Sequence, residues 1–172
     1  MGIYTHTEQK EILKNLTVLV DTREQETDAL KRRLEGLECP SRRTALSYGD
    51  YSAESQIEGK ELISLQTKCV IERKMNIDEI CGNFTKGRER FAREFERALN
   101  DGCQVHLIIE GCNWEKIFNG GYKSQLTPQA LTASLLCWLD RYNFHLHFCK
   151  AETTPKLIYK ILYYAMKKEI DV

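Results

Sequence analysis

Three β-forming segments of this 172-residue chain meet charged side chains at their ends, and that recurrence restricts the fold more than any other feature. Leu16-Thr17-Val18-Leu19-Val20 ends in Asp21-Thr22-Arg23-Glu24. Val70-Ile71 runs straight into Glu72-Arg73-Lys74, with Asp78 a turn further on. Asp50, in Ser47-Tyr48-Gly49-Asp50-Tyr51, stands at the third. Unpaired burial of such charges costs several kcal/mol, so strand ends that carry them face a site and not a core. Alternation along a strand puts Glu72 and Lys74 on one face and Arg73 on the other. Gly49 lets the backbone bend or approach closely, which places Asp50 at a turn or bulge beside the strand. Taken alone, Asp50 followed at a distance by Glu-x-Lys is a weak pattern, because salt bridges flanking a hairpin have the same spacing. Counted together, three acid-bearing strand ends point to one edge of an α/β sheet.

The residue types then suggest a chemistry. A carboxylate and an ammonium side by side on a strand can hold a metal ion and its attacking water, which is half of a metal-dependent phosphodiesterase. Asp50 supplies the second carboxylate. Asp50 and Glu72 are hard oxygen donors suited to Mg²⁺ or Mn²⁺, and the Arg73 carbonyl can complete the inner shell. Lys74 positions or deprotonates the water and steadies charge near the phosphate, a role compatible with an ion pair to Glu72. Asp21 and Glu24 bind or orient the metal, directly or through water. Arg23 reaches either those acids or the phosphate. Arg73, on the opposite face, braces the site through a carboxylate. Asp78 either points back at the site or caps the next helix.

Asp21-Thr22-Arg23-Glu24, Gly49-Asp50-Tyr51 and Glu72-Arg73-Lys74-x-x-x-Asp78 resemble the nuclease signature of the XPF/Hef family. The resemblance continues through Gly87-Arg88, the strand Val105-His106-Leu107-Ile108-Ile109-Glu110 and the stretch from Leu131 onward. It implies a three-layer α/β restriction-endonuclease-like fold, a central mixed sheet flanked by helices. It also implies Mg²⁺- or Mn²⁺-dependent DNA endonuclease activity at flaps or duplex/single-strand junctions, in repair, recombination or mobile-element processing. Catalytic roles would fall to Asp21, Arg23, Glu24, Asp50, Glu72, Arg73, Lys74 and Asp78, with Asp50, Glu72 and Asp21 at the metal. Such nucleases pair through this domain, so a homodimer through the C-terminal helices is expected. The last helix carries Leu157, Ile158, Ile161, Leu162 and Ala165 besides Tyr159, Tyr163 and Met166, more apolar surface than one stripe needs. Burial between the sheet and a neighbouring helix accounts for it equally well. One departure from the family is the distance from Asp50 to Glu72, which is longer than expected. Glu54–Leu65 reads as an extended hairpin that can alter substrate choice.

Composition sets the outer limits. With 42% hydrophobic and 29% charged residues the chain reads as a single globular domain over residues 1–172, without a helix-hairpin-helix or helicase module. No apolar run is long enough to span a membrane, and Met1–His6 lacks a signal sequence. Seven cysteines without a C-x-x-C pair suit reduced thiols and an intracellular setting, in cytoplasm or nucleoid or in a nucleus. Net charge is zero, so DNA binding must come from local basic clusters, Lys86, Arg88, Arg90 and Arg93 foremost. Gly87-Arg88 near a helix start suits a phosphate, whereas Arg90, Arg93 and Arg97 alternate with acids as a solvated helix face would. His145, His147 and Cys149 share one face of a predicted strand, as zinc ligands or as packing. Two other functions remain open: a nuclease without structure preference, and a non-catalytic DNA-binding or scaffold subunit. A separate recruiting protein can supply branch recognition.

Periodicity predicts a strand over 16–21, a helix over 26–37, and strands over 42–48, 50–55, 61–66 and 68–73 in a meander. Further on it predicts a helix over 84–100, a central strand over 105–110, a short helix around 114–118, a helix opened by Thr127-Pro128, a strand over 144–149 and a helix over 155–168.

Overall fold

The computed structural model describes residues 4–171. Met1–Ile3, part of the leading segment read above as lacking a signal sequence, and Val172 lie outside the described residues. In chain order the elements are α1 (His6–Lys14), β1 (Thr17–Asp21), α2 (Asp28–Glu35), β2 (Ser41–Thr44), β3 (Tyr51–Ser55), β4 (Ile63–Ser64), β5 (Cys69–Lys74), α3 (Ile77–Phe84), α4 (Arg88–Asn100), β6 (Gln104–Glu110), α5 (Trp114–Phe118), α6 (Pro128–Tyr142), β7 (His145–Cys149) and α7 (Thr154–Ile170). The strands form a mixed seven-stranded sheet flanked by helices, the restriction-endonuclease-like architecture expected from the resemblance. No helix among the described residues is long and apolar enough to cross a membrane.

Two compact units divide the chain, residues 1–70 with 155–172 and residues 71–154. In the first unit the strand order is β2-β1-β3, with β4 and the opening residues of β5 beside β3. β1 pairs in parallel with β2 (Val18 opposite Ser41) and antiparallel with β3 (Val18 opposite Ala53). Val18, Leu19 and Val20 are fully buried, so β1 needs cover on both sides and takes the inner position. Helix α1 begins with a reciprocal cap. Thr5 Oγ1 accepts from the Glu8 N–H (3.3 Å) and Glu8 Oε2 accepts from the Thr5 N–H (2.7 Å).

The predicted meander is corrected at its first strand. Residues 41–44 lie parallel to β1 and do not pair with β3, because β1, α2 and β2 form a crossover connection. The polar run Ser41-Arg42-Arg43-Thr44 suits the sheet edge where it lies. The expected hairpin over 54–65 has only two paired positions, Glu54 with Ser64 and Ser55 with Ile63, closed by a long loop turning at Gly59 (φ 73°).

In the second unit the remainder of β5 is followed by β6 and then β7, which is parallel to β6 (His106 opposite His145). Phe84, Phe91, Phe95, Trp138, Tyr142 and Phe144 pack as one aromatic cluster, for example Phe91 against Phe95 at 4.8 Å and Phe84 against Trp138 at 4.9 Å. The helix expected over 84–100 is broken. Phe84 closes α3, Thr85-Lys86-Gly87 turns, and α4 starts at Arg88. Thr127 Oγ1 caps α6 by accepting from the Ala130 N–H (3.2 Å), and Pro128 stands in its first turn as the sequence suggests.

Candidate active site

In the first unit, Asp21 ends β1 almost wholly out of water, 1% exposed. Its Oδ1 accepts from the Arg23 N–H (2.7 Å) and from Arg23 Nε (2.7 Å). Its Oδ2 accepts from Arg23 Nη2 (3.0 Å) and from the Leu46 N–H (2.8 Å). Burial alone would raise this carboxyl, but the Arg23 and Leu46 donors outweigh it and hold the group below the usual aspartate range. Four donors fill the four acceptor directions of one carboxylate. Asp21 therefore anchors the β1 end and the 44–48 segment through these four contacts.

Glu24 is held by a pair that sequence reasoning missed. Tyr51 Oη donates to Glu24 Oε2 (3.1 Å), and Arg33 Nη1 donates to Tyr51 Oη (2.9 Å) while lying 3.5 Å from the same Glu24 oxygen. Arg33 is 7% exposed, unusual for a mid-helix arginine. Burial pushes the Tyr51 phenol well above its ordinary range, so it stays a neutral donor. Arg43 Nη2 donates to the Thr22 and Glu24 carbonyls (3.0 and 2.7 Å), pinning the loop between them. Gly49 has φ 71°, a left-handed turn open to glycine, and the Asp50 carbonyl just beyond it accepts from the Asp21 N–H (2.8 Å). Asp21, Arg23, Glu24 and Asp50 thus belong to one local framework.

In the second unit, β5 presents Glu72 and Lys74 on one face, joined by a 2.6 Å contact from Nζ to Oε1. Glu72 is 9% exposed. Lys74 Nζ also lies 5.2 Å from the Phe91 ring centroid. The pair is therefore held in apolar surroundings that strengthen its field. Arg73 faces the other way and forks onto Glu110, Nε to Oε1 at 3.1 Å and Nη2 to Oε2 at 3.3 Å, with Thr154 Oγ1 donating to Glu110 Oε1 (2.7 Å). The carboxylate expected to brace Arg73 is Glu110, at the end of β6. Its sequence signal is a lone acid closing a buried apolar strand.

Asp78 does not cap α3, in whose first turn it lies. Its Oδ1 accepts from the Lys123 and Ser124 N–H groups (2.8 and 2.9 Å), tying down the loop before α6, while Asn76 caps α3 through the Glu79 N–H (3.1 Å). Arg88 is exposed and places its guanidinium carbon 5.7 Å from the Trp138 ring centroid. Lys86 is exposed on the turn before it. Arg90 and Arg93, with Arg97, Glu94, Glu96 and Asn100, line a shallow depression of about 330 Å³ on α4.

The histidine face has a different fate from a zinc site. His106 Nδ1 and His147 Nε2 meet at 3.0 Å with their rings parallel, and Cys149 Sγ turns to Thr154 Oγ1 (3.4 Å). Burial lowers both imidazoles, His106 to about 3, so both are neutral at pH 7. Among the described residues no three His, Cys, Asp or Glu side chains are arranged to hold a metal ion. No disulfide joins any of the cysteines among the described residues.

This framework coincides with a family match. The ERCC4 domain matches residues 20–161, and the chain belongs to that family, of which XPF-type nuclease domains are members. Two solved structures share the fold. XPF from Aeropyrum pernix is 20% identical with a TM-score of 0.63, over 90% of this chain and 67% of that one. The same protein's "complex with DNA" is 20% identical with a TM-score of 0.62, over 88% and 66%. The curated proteins include no match.

Proposed function

We propose that this chain is a metal-dependent DNA endonuclease that cuts at flaps or duplex/single-strand junctions. The observation that carries the reading is the Glu72–Lys74 pair, a carboxylate and an ammonium 2.6 Å apart and largely out of water on a rigid strand. Membership of the ERCC4 domain family supports it, as does the binding of DNA by the structurally similar XPF.

Asp50 and Glu72 are the carboxylates assigned to Mg²⁺ or Mn²⁺, and their hard oxygens fit those ions. Two carboxylates suffice for such an ion, since Mg²⁺ keeps waters and substrate phosphate oxygens in its shell. The bound ion supplies positive charge for the phosphate and acidifies water. Lys74, as the ammonium paired with Glu72, orients the attacking water and steadies the charge that builds near the phosphate, while the water's proton passes to solvent. Glu72 keeps Lys74 in place until substrate arrives. Arg23, whose side chain is 61% exposed, reaches a phosphate oxygen by loosening its fork on Asp21. Arg73 and Glu110 fix the strand from behind. Lys86, Arg88, Arg90 and Arg93 meet the DNA backbone.

A second copy of the chain is the proposed partner. The stripe Ile158, Leu162, Met166 and Ile170 of α7 is buried, so that part of the apolar surface expected there is already covered. Leu136 on α6 and Phe118 on α5 are the exposed apolar side chains suited to pairing.

The test is cleavage of labelled flap, splayed-arm, duplex and single-stranded DNA with Mg²⁺ or Mn²⁺, with Asp50→Ala alongside. Cuts at junctions that vanish in the variant support the reading. Equal cutting of matched duplex rejects the structure preference, and no cutting by folded protein leaves a binding subunit.

A further inference from the structure

Helix α7 has a second face that the nuclease reading does not use. Its buried stripe recurs every four residues. Opposite it, helical spacing gathers Lys156, Tyr159, Lys160, Tyr163, Tyr164 and Lys167. The three tyrosines touch in series, Tyr159 to Tyr163 at 5.7 Å and Tyr163 to Tyr164 at 5.4 Å between ring centroids. Lys160 Nζ sits 4.9 Å from the Tyr159 ring and 5.8 Å from the Tyr163 ring. Tyr164 is 63% exposed. Four lysines and one acid, Glu169, make α7 a locally basic helix in a chain of zero net charge. Glu38 is the acid that meets this surface, 3.3 Å from Lys160.

We propose that this face of α7 binds single-stranded DNA, its tyrosines stacking on unpaired bases and its lysines meeting the phosphates. Every base presents a flat π-face, so interleaved aromatics and cations hold a single strand with little regard to sequence. In a duplex the bases stack on one another, and the tyrosines find no ring to cover. A protein partner fits less well, because the face contains no exposed aliphatic side chain to form a dry centre. Glu38 competes with phosphate for Lys160, which keeps the site weak until a strand spans several lysines. The inference deepens the nuclease reading and rests on it for the biological ligand, the unpaired arm of a junction.

The experiment measures binding of the full chain to labelled oligo-dT and to a blunt duplex of equal length, across a salt series. Tyr164→Ala is expected to weaken oligo-dT binding by roughly tenfold and leave duplex binding unchanged. Tyr164→Phe, which keeps the ring, is expected to bind as the parent does. Lys167→Gln is expected to flatten the oligo-dT salt slope by about 0.7. Equal oligo-dT affinity in the parent and Tyr164→Ala overturns the proposal. So does a change of oligomeric state in Tyr164→Ala with oligo-dT binding intact, which assigns the face to a second copy. Duplex and flap cleavage, run in parallel, separates the two readings. Tyr164-dependent binding without any cleavage sinks the nuclease, and cleavage without that dependence sinks only this surface.

Discussion

Asp21 shows how far a residue's neighbours decide its work. A carboxylate at the end of an apolar strand reads as a metal ligand, and here Arg23 and the Leu46 N–H also make it a structural anchor. Asp21→Ala should therefore destabilise the fold by about 1–3 kcal/mol, because it strands the Leu46 N–H and releases Arg23. A denaturant melt checks this; an unchanged midpoint would contradict it. Tyr51→Phe removes the hydroxyl shared by Arg33 and Glu24, and a loss of about 1–2 kcal/mol is expected by the same measurement. Arg33 was not legible because a mid-helix arginine between Arg32 and Leu34 reads as solvated; only three-dimensional packing brings Tyr51 over it. Glu72, Lys74 and Asp50 stand out in the sequence because charge beside an apolar strand is costly to bury unless it is paired or serves a site.

Among elements, the β6–β7 pair carries a testable pH dependence. His106 and His147 are held neutral by burial, with folded-state pKa values below the unfolded value near 6.5, that of His106 at about 3. The unfolded chain therefore binds more protons between those values. The stability from keeping these rings neutral is complete above about pH 6.5 and is lost as pH falls toward 3. Melting temperature should drop between pH 7 and pH 5, a range in which the Asp21 carboxylate, with its lowered pKa, does not titrate. The drop should shrink in His106→Gln; the same drop in that variant would assign it elsewhere. Strand and helix positions were mostly readable from periodicity, as with α6 behind Thr127-Pro128. Strand order was not. The place of β2 beside β1 is set by which strand needs cover on both faces, a property of the assembled sheet.

For the whole molecule, zero net charge means that DNA attraction depends on placement. Arg88→Ala should weaken DNA binding and lower the salt slope by about 1, read from affinities across a salt series; an unaltered slope would return Arg88 to a packing role over Trp138. Family membership was legible because its motifs are local and lie on strands, whereas Glu110, which steadies the middle of one motif, is distant in sequence. The account rests finally on Glu72. Metal-dependent cleavage by Glu72→Gln, measured beside DNA affinity and melting temperature, tests it most directly. Cleavage should fall by roughly a hundredfold or more while affinity holds and the variant remains folded, its melting temperature lowered by the lost counter-charge of Lys74. Cleavage at the parent's rate by the folded variant would contradict the assignment.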